Sequence, residues 1–374
     1  MKVLHVYKDY FPVLGGIESH VRTLCGELQQ RGVEVEVLAT GPGHRTVHSV
    51  VDGVPVTLAA RLAMVASNPI SWSIVSEMTR TEADIIHLHF PHPTGELAYL
   101  LAGRDRKMVV TYHSDVVKQK ALLALYRPFL WKVLARADRI LATSPQYAYS
   151  SPYLRRFSDK VSVVPLGIDV ARFEKVEQAD VDAIRGRYGA PIVLFVGLLR
   201  YYKGLPYLIR AMKNVSATLL VVGTGPLERA LKGFARDEGL GESVVFVGEV
   251  SDDQLPAYYH ACDVYVLPAS HRSEAWGIAQ IEAMACGKPA VCTELGTGTT
   301  YVNIHGETGL VVPPADVPAL AGALRLLLAD DSLRRRLGEG ARDRVRRELT
   351  KELMADRVLA IYRQILGAAS GRPV

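Results

Sequence analysis

Cysteine is scarce in this sequence, and its spacing excludes two structural classes. The chain of 374 residues has four cysteines, none of them in a Cys-x-x-Cys motif: Cys25, Cys262, Cys286 and Cys292. A zinc ribbon or a disulfide-stapled scaffold needs closely spaced or paired cysteines. We therefore expect four reduced, buried thiols.

Long hydrophobic runs are also missing. The longest apolar stretches, such as 193–196 and 219–222, have the length of a strand, whereas a bilayer-spanning helix needs about 20 apolar residues. The N-terminus begins directly with a strand-like run and has no features of a signal peptide. The sequence thus predicts a cytoplasmic protein without a transmembrane helix.

Low-complexity segments and solenoid repeats are absent as well. The chain has 49% hydrophobic and 22% charged residues, a composition typical of folded globular domains. Its length exceeds the size at which a single hydrophobic core keeps growing. We therefore expect two domains.

Positive charge is unevenly distributed. Residues 1–165 hold 19 Lys and Arg against 14 Asp and Glu, whereas residues 166–374 hold 25 of each. The excess centres on a basic amphipathic helix predicted at 116–136. This helix either contacts an anionic membrane, peripherally at the inner face of the cytoplasmic membrane, or is a surface helix whose apolar stripe is buried in the core. No nucleic-acid-binding module is recognisable, so no nucleic-acid partner is expected.

Strand-like and helix-like segments alternate in both halves of the chain. The first half predicts strands near 2–7, 33–39, 84–89, 107–112, 138–143 and 161–164, with helices near 17–31, 70–80, 94–102, 116–136 and 144–157. The second half predicts strands near 191–197, 217–222, 243–247, 263–267 and 289–292, with helices near 203–213, 226–239, 252–261 and 277–285, and further helix after residue 316. This alternation predicts two parallel sheets wrapped by helices.

The segment between the halves, residues 169–190, lacks strand character and carries mixed charge, which predicts a linker. We therefore expect an N-terminal domain at 1–168 and a C-terminal domain at 191–350. A C-terminal helix at 351–374 is expected to return to the first domain. A cleft between two domains is a common ligand site, and we expect the ligand there.

In the first half, loops after strands hold the candidate residues, because ligands of parallel sheets gather at the carboxyl ends of the strands. Gly15 and Gly16 either bring bare amides to an anion or form a plain tight turn. Three clustered histidines alternate with apolar residues, which favours packing or hydrogen bonding over a metal site: His87, His89 and His92. We assign no metal. His113, at a strand's carboxyl end, is the better functional candidate.

In the second half, Arg200 and Lys203 follow a buried strand and precede a glycine. Two fixed cations at a strand end suit a diphosphate, whose charge grows as it leaves a sugar; solvated loop cations are the alternative. The motif Gly223-Thr-Gly225 begins like a dinucleotide-binding fingerprint, but Glu228 replaces its third glycine, which weakens that interpretation.

Two acids bracket the stretch Glu274-Ala-Trp-Gly-Ile-Ala-Gln-Ile-Glu282. Gly277 permits close backbone approach, and the amides of the helical turn after it are unpaired donors. Because the acids are eight residues apart, they can address different parts of one extended ligand, such as a sugar and a ribose. The alternative is a pair of solvated acids.

Taken together, these motifs resemble the retaining, nucleotide-sugar-dependent glycosyltransferases of family 4 over nearly the whole chain. The resemblance rests on Gly15-Gly16, His113 in Thr111-Tyr-His-Ser, Pro165-Leu-Gly-Ile-Asp169, Arg200, Lys203-Gly204, Gly223-Thr-Gly225 and the Glu-x7-Glu pair. It implies the GT-B fold: α/β, with two facing Rossmann-like domains and an interdomain cleft.

The resemblance also implies roles for single residues. Glu274 contacts the donor sugar, His113 the sugar near the reacting carbon, and Arg200 and Lys203 the diphosphate; these four form the catalytic set. The donor-binding set adds Gly16, Glu282 on the ribose, and residues around the base, phosphates and sugar: Gly223, Gly225, Glu249, Val250, Ala275, Trp276, Gly277 and Ile278. Two departures stand out. Leu198 occupies a place where many relatives have Arg, which bears on the reach of Arg200, and Trp276 replaces a commoner Phe, which bears on pocket shape.

The segments 293–303 and 199–204 resemble a subgroup that builds bacterial surface polysaccharides from GDP-mannose or a related GDP-deoxyhexose. We therefore predict retaining transfer of a hexosyl unit from a GDP-sugar to a lipid-linked or polysaccharide acceptor, without metal or cofactor. Three alternatives are open: a UDP-sugar-dependent enzyme, a sugar-nucleotide epimerase or hydrolase, and a catalytically silent nucleotide-binding regulatory or scaffold protein.

Overall fold

The structure is a computed structural model that describes residues 1–13, 15–65, 68–103, 105–115 and 120–370. The chain divides into two compact units. Unit 1 comprises Met1–Gly167 and the C-terminal segment from Lys351, and unit 2 comprises Ile168–Thr350.

Unit 1 is built on parallel strands. In chain order, the described strands are β1 (Lys2–Val6), β2 (Glu34–Thr40), β3 (Val47–Val51), β4 (Val54–Ala59), β5 (Ala63–Val65), β6 (Asn68–Ile70), β7 (Ile85–Phe90), β8 (Lys107–Tyr112), β9 (Arg139–Ala142) and β10 (Val161–Val163). Eight of them form one sheet in the order β10-β9-β8-β7-β1-β2-β4-β3. Every neighbouring pair in it is parallel except β3 and β4, while β5 and β6 form a separate antiparallel pair. All six residues of β7 are buried, as expected of a strand covered on both faces.

The helices of unit 1 that precede residue 168 connect these strands. They are α1 (Gly16–Gln30), α2 (Ser73–Arg80), α3 (Pro93–Ala102), α4 (Lys120–Arg136), α5 (Pro145–Ser150) and α6 (Pro152–Arg156). The helix predicted at 144–157 is thus two helices. Pro152 explains the break, because its ring disfavours helical geometry in the preceding residue, and Ser151 is extended.

Unit 2 contains a six-stranded parallel sheet among its described residues, in the order β13-β12-β11-β14-β15-β16. Its strands are β11 (Ile192–Val196), β12 (Thr218–Val222), β13 (Val244–Gly248), β14 (Val264–Leu267), β15 (Ala290–Thr293) and β16 (Gly309–Val312). Its helices are α7 (Ala171–Glu174), α8 (Gln178–Tyr188), α9 (Leu205–Met212), α10 (Glu228–Asp237), α11 (Leu255–Ala261), α12 (Ile278–Ala285), α13 (Thr299–Val302), α14 (Val317–Ala329) and α15 (Asp331–Glu348).

Two segments near the unit boundaries need separate mention. Residues 169–190, predicted as a linker, instead form α7 and α8 and cluster with unit 2. They fold there because buried Phe173 and Val181 pack into that unit, a signal that mixed surface charge concealed. The last helix, α16 (Lys351–Ser370), clusters with unit 1.

The prediction of two parallel sheets wrapped by helices is confirmed, with all eleven predicted strands present. The predicted buried thiols are also confirmed, since all four cysteines are free and buried. Among the described helices, none has the length and apolar character needed to cross a bilayer.

The basic helix predicted at 116–136 begins at Lys120 in the structure, and residues 116–119 lie outside the described residues. In its second half, Leu130, Val133 and Leu134 are buried. This part of the helix therefore follows the surface-helix interpretation, with its apolar stripe in the core. Phe129, however, is 45% exposed.

Candidate functional site

Loops after neighbouring strands converge at the carboxyl edge of the unit 2 sheet. Because β13, β12, β11 and β14 are adjacent, the loops that follow them are adjacent too. Backbone hydrogen bonds join these loops: Leu199 N donates to Thr224 O at 2.9 Å, and Gly223 N donates to Gly248 O at 2.7 Å. The segments that the sequence singled out after β11, β12 and β13 thus form one continuous surface.

Two glycines are required by this arrangement. Gly223 has φ +115°, and a Cβ there would overlap the backbone of Gly197 in the loop after β11. Gly277 has φ +87° at the N-cap of α12, where a Cβ would stand 2.8 Å from Leu267 Cδ2. Only glycine adopts such conformations without strain. Glycine therefore fixes the loop shape at both positions.

A buried ion pair joins the loops after β11 and β14. Lys203 Nζ lies 2.6 Å from Glu274 Oε2, with side-chain exposures of 13% and 9%. Burial alone lowers the pKa of Lys203, but the charge of Glu274 and its hydrogen bond outweigh burial, so the pKa is raised. Lys203 is therefore a charged ammonium group in direct contact with the carboxylate of Glu274.

The second acid lies on α12. Tyr259 Oη donates a hydrogen bond to Glu282 Oε2 at 2.6 Å. Burial raises the pKa of Glu282, while the bond from Tyr259 and the charge of Arg172 partly oppose that rise. One carboxylate oxygen of Glu282 is therefore held by Tyr259.

The remaining predicted donor-binding residues of unit 2 differ in accessibility. Arg200 and Glu249 are exposed, whereas Gly223, Gly225, Val250 and Ile278 are partly buried, and Ala275 and Gly277 are buried. Trp276 is only 4% exposed and stacks on Tyr301 with ring centroids 5.9 Å apart. Trp276 therefore packs in the interior, against Tyr301 and next to Glu274 along the chain.

In unit 1, the predicted residues lie at the ends of β1 and β8. Gly16 is the exposed first residue of α1. His113 follows β8, is 4% exposed, and joins its Nε2 to His89 Nδ1 at 3.0 Å. His89 Nε2 in turn lies 3.0 Å from His5 Nδ1. His113 is thus the outer end of a chain of three hydrogen-bonded imidazoles.

Three further histidines surround this chain in the interior of unit 1. His20, on α1, packs edge-on against the rings of His89 and His113. His87 stacks on His89 and bonds Thr111 Oγ1 at 2.7 Å and Tyr362 Oη, on α16, at 2.5 Å. The sixth is His92, at the N-cap of α3.

Burial keeps all six imidazoles neutral at neutral pH. Loss of hydration lowers the pKa of His5 and His92 to about 3 and that of His20 to about 4. The same burial, with repulsion from neighbouring histidines, sets the pKa values of His87, His89 and His113 well below the usual range.

The histidines are also the described side chains best placed to hold a metal. Ring nitrogens of His20, His89 and His113 lie within 4.8 Å of one another, as do those of His5, His87 and His89. Both nitrogens of His89 already bond other histidines, however. The described geometry is that of a partly hydrogen-bonded histidine cluster, in which His5 Nε2 and both ring nitrogens of His20 and His92 have no partner among the described residues.

Several contributing residues were missed from the sequence. None of His5, His20, Tyr259 and Tyr362 was among the candidate residues predicted from the sequence. The available signal was weak: His5 occupies the middle of a hydrophobic strand, where burial forces an imidazole to find a partner. Only the adjacency of β1, β7 and β8 brings these side chains together.

The two units, one of which carries a loop surface with a buried Lys203–Glu274 pair, define a two-domain α/β protein with a candidate ligand site at the carboxyl edge of a parallel sheet. Comparison of the sequence with models of known protein families identifies the family of this chain. The Glycosyltransferase Family 4 sequence model matches residues 14–172, and the Glycosyl transferases group 1 model matches residues 179–344. The chain belongs to the family 4 glycosyltransferases and has the GT-B fold.

Individual relatives cover nearly the whole chain. A D-rhamnosyltransferase of Pseudomonas aeruginosa is 38% identical over 94% of this chain and 92% of its own length. The O-antigen chain mannosyltransferase C of Escherichia coli is 36% identical over 99% and 100%. Among solved structures, a sucrose-phosphate synthase from Thermosynechococcus elongatus aligns with TM-score 0.83 and 26% identity, covering 98% of this chain and 99% of that one.

Proposed function

We propose that this glycosyltransferase moves a mannosyl or related deoxyhexosyl unit from a GDP-sugar to a lipid-linked or polysaccharide acceptor in surface-glycan synthesis. The observation that carries the proposal is the buried Lys203–Glu274 pair within the converging loops of unit 2. A cation and an acid held together in this way can serve the phosphate and the sugar of one donor. The sugar class is supported by the names of the mannosyl- and rhamnosyltransferase relatives.

In unit 2, the charges divide between the parts of the donor. Lys203, with Arg200 beside it, supplies positive charge to the diphosphate, which gains negative charge as it leaves. Glu274 accepts hydrogen bonds from sugar hydroxyls and keeps Lys203 protonated. Glu282 accepts from the ribose, and Glu249 and Val250 border the base.

The proposed reaction retains the anomeric configuration and needs no metal. The bond between the anomeric carbon and the phosphate oxygen breaks, and its electron pair leaves with the diphosphate. The acceptor hydroxyl oxygen forms the new bond on the same sugar face, and its proton passes to an oxygen of the departing phosphate. By the family resemblance, His113 contacts the sugar near the reacting carbon. Catalysis then rests on positioning and on preorganised charge.

The test is transfer by purified protein from GDP-mannose to a synthetic lipid-linked glycan, with excess chelator present and the product's anomeric configuration read by NMR. A product with the donor's configuration, formed at an undiminished rate in chelator, is expected. An inverted product contradicts retention, and turnover restored only by a divalent ion contradicts metal independence.

The nucleotide base is tested separately by thermal shift against GDP, UDP, ADP and TDP. A ligand that binds only the folded protein raises its melting temperature with affinity. The largest shift is expected with GDP. A shift confined to UDP would assign a UDP-sugar donor while leaving the transferase proposal standing, and no shift with any of the four would favour a protein that has lost donor binding.

We also propose that the second half of α4 touches an anionic membrane, as a lipid-linked acceptor requires. Arg127 and Arg156 both lie against the Trp131 ring, at 5.3 and 4.6 Å, and Phe129 on the same helix is 45% exposed. Exposed aromatic and basic groups together favour anionic interfaces. Phe129→Ser should reduce cosedimentation with phosphatidylglycerol vesicles; unchanged cosedimentation contradicts this contact.

A further inference from the structure

We propose that His89 is a positioning residue that fixes the proton of His113 on Nδ1, so that His113 presents a hydrogen-bond donor to the sugar. This inference rests on the proposed function only for what His113 contacts. The tautomer itself follows from the hydrogen-bonded chain and can be measured in the free protein.

In the chain of His5, His89 and His113, the nitrogen that carries the proton in one ring determines which nitrogen carries it in the others. A neutral imidazole has one N–H and one bare nitrogen, so a ring that donates through one nitrogen accepts through the other. His5 Nδ1 pairs with His89 Nε2, and His89 Nδ1 pairs with His113 Nε2. The chain therefore has only two arrangements of its protons, and choosing one for any ring chooses it for all three.

The two arrangements differ at their ends. In the first, His5 donates to His89 and His89 donates to His113, which leaves His5 Nε2 bare and places the last proton on His113 Nδ1. In the second, every bond reverses, His5 Nε2 carries a hydrogen, and His113 Nδ1 is bare. The structure distinguishes them because His5 Nε2 is fully buried and has no hydrogen-bond partner among the described residues.

An orphaned N–H is rarer in protein interiors than an under-used acceptor. The first arrangement is therefore favoured, and it puts the N–H of His113 at the end of the chain that leads toward the surface. His113 Nδ1 makes no hydrogen bond within the described part of the chain. Its proton is thus available to an oxygen of a bound sugar.

Neighbouring groups hold the chain in place and keep it neutral. His20 packs edge-on against the middle ring, His89, and against His113, and His87 stacks on His89. His87 is fully engaged, by Thr111 and Tyr362, and so does not compete for the chain's protons. Addition of a proton to any of these rings would create a buried charge, which the surroundings oppose.

The direct test is nitrogen-15 NMR of histidine side chains in the intact protein, with His113 assigned by its loss in His113→Gln. His5, His89 and His113 are expected to be δ-protonated in the wild type, which is the less populated form of free histidine. His89→Leu removes the donor that faces His113 Nε2, so His113 should shift toward the ε-protonated form. An ε-protonated His113 in the wild type, or a His113 unaffected by His89→Leu, overturns the proposal.

Transfer kinetics then show whether the tautomer matters. His89→Leu should lower kcat about tenfold, the scale of one misdirected hydrogen bond, with nucleoside diphosphate affinity unchanged. His89→Gln, which keeps a donor and an acceptor, should recover part of the rate. His92→Leu, which removes a buried imidazole outside the chain, is the matched control and should leave kcat unchanged.

The two proposals can fail separately. If no sugar is transferred but the wild type shows δ-protonated His113, the proposed transferase function is wrong, whereas the proposal that the His113 proton is fixed on Nδ1 stands. If transfer proceeds and kcat falls equally in His92→Leu and His89→Leu, the effect is structural and the positioning role fails.

Discussion

Acid should unfold unit 1 well before unit 2, because unit 1 buries six neutral histidines. Each has a native pKa far below the value of about 6.5 expected in the unfolded chain. These groups contribute fully to the free energy of unfolding above pH 6.5, and the contribution is lost as pH falls. The reason is that the unfolded imidazoles bind protons below pH 6.5, whereas the buried imidazoles of the folded state stay neutral. Unit 2 has three histidines, of which His271 and His305 are exposed and His260 is half-buried.

The size of the effect follows from proton linkage. Between pH 7.5 and pH 5.5, each buried histidine should lower the free energy of unfolding by about 1.4 kcal/mol, or about 8 kcal/mol for six. Glu96 acts in the opposite direction. Burial raises the pKa of its carboxyl to about 7, so in the folded protein Glu96 takes up a proton between pH 7.5 and pH 5.5. That gain stabilises by about 2 kcal/mol. The net loss of about 6 kcal/mol is comparable with the whole stability of many domains.

Hydrogen exchange with mass spectrometry measures this loss strand by strand. Opening free energies of β1, β7 and β8 should fall steeply between pH 7.5 and 5.5, after correction for the intrinsic exchange rate. Those of β11 and β14 should change little and serve as the internal control. Equal changes in both units would refute the burial of neutral histidines as the cause. So would a pH dependence of the unit 1 opening free energy that corresponds to uptake of less than one proton.

Three further predictions concern side-chain contacts. Glu274→Gln should lower transfer by about 100-fold or more, the scale for loss of one preorganised charge, while nucleoside diphosphate affinity by calorimetry stays within about threefold of wild type; unchanged transfer would remove Glu274 from the site. Lys203→Met leaves Glu274 buried and unpaired and should destabilise unit 2 by about 3–5 kcal/mol in denaturant unfolding. The double variant Lys203→Met/Glu274→Gln should recover stability but not transfer. A double variant as unstable as Lys203→Met would contradict the pairing. Tyr362→Phe removes the hydroxyl that anchors α16 and should lower unit 1 stability by about 1–2 kcal/mol, whereas an unchanged melting curve would show that the bond to His87 contributes nothing.

The long, apolar elements were predictable from the sequence, and the short, exposed ones were not. Strand β11 is a continuous hydrophobic run, and β7 is apolar apart from His87 and His89; every residue of both strands is buried, which leaves little ambiguity. The hairpin β3–β4 was missed because most of β3 is exposed. Its turn, Asp52-Gly53, carried a usable signal, since both residues have positive φ and Asp-Gly favours such hairpin turns.

The sequence named candidate site residues but could not show which of them touch. The motif residues Lys203 and Glu274 were named from their places after strands, yet their pairing depends on β11 and β14 being neighbours despite their separation in the chain. Burial of Trp276 against Tyr301 was equally hidden, because a motif shows which residue is present and not which way it faces.

The central claim is that unit 2 holds an activated sugar through the Lys203–Glu274 pair. A crystal structure with GDP-mannose tests it most directly. The account predicts the diphosphate within about 3 Å of Lys203 Nζ, sugar hydroxyls on Glu274 and the ribose on Glu282. A donor bound away from these three side chains, or a diphosphate held only by a divalent ion, would contradict it.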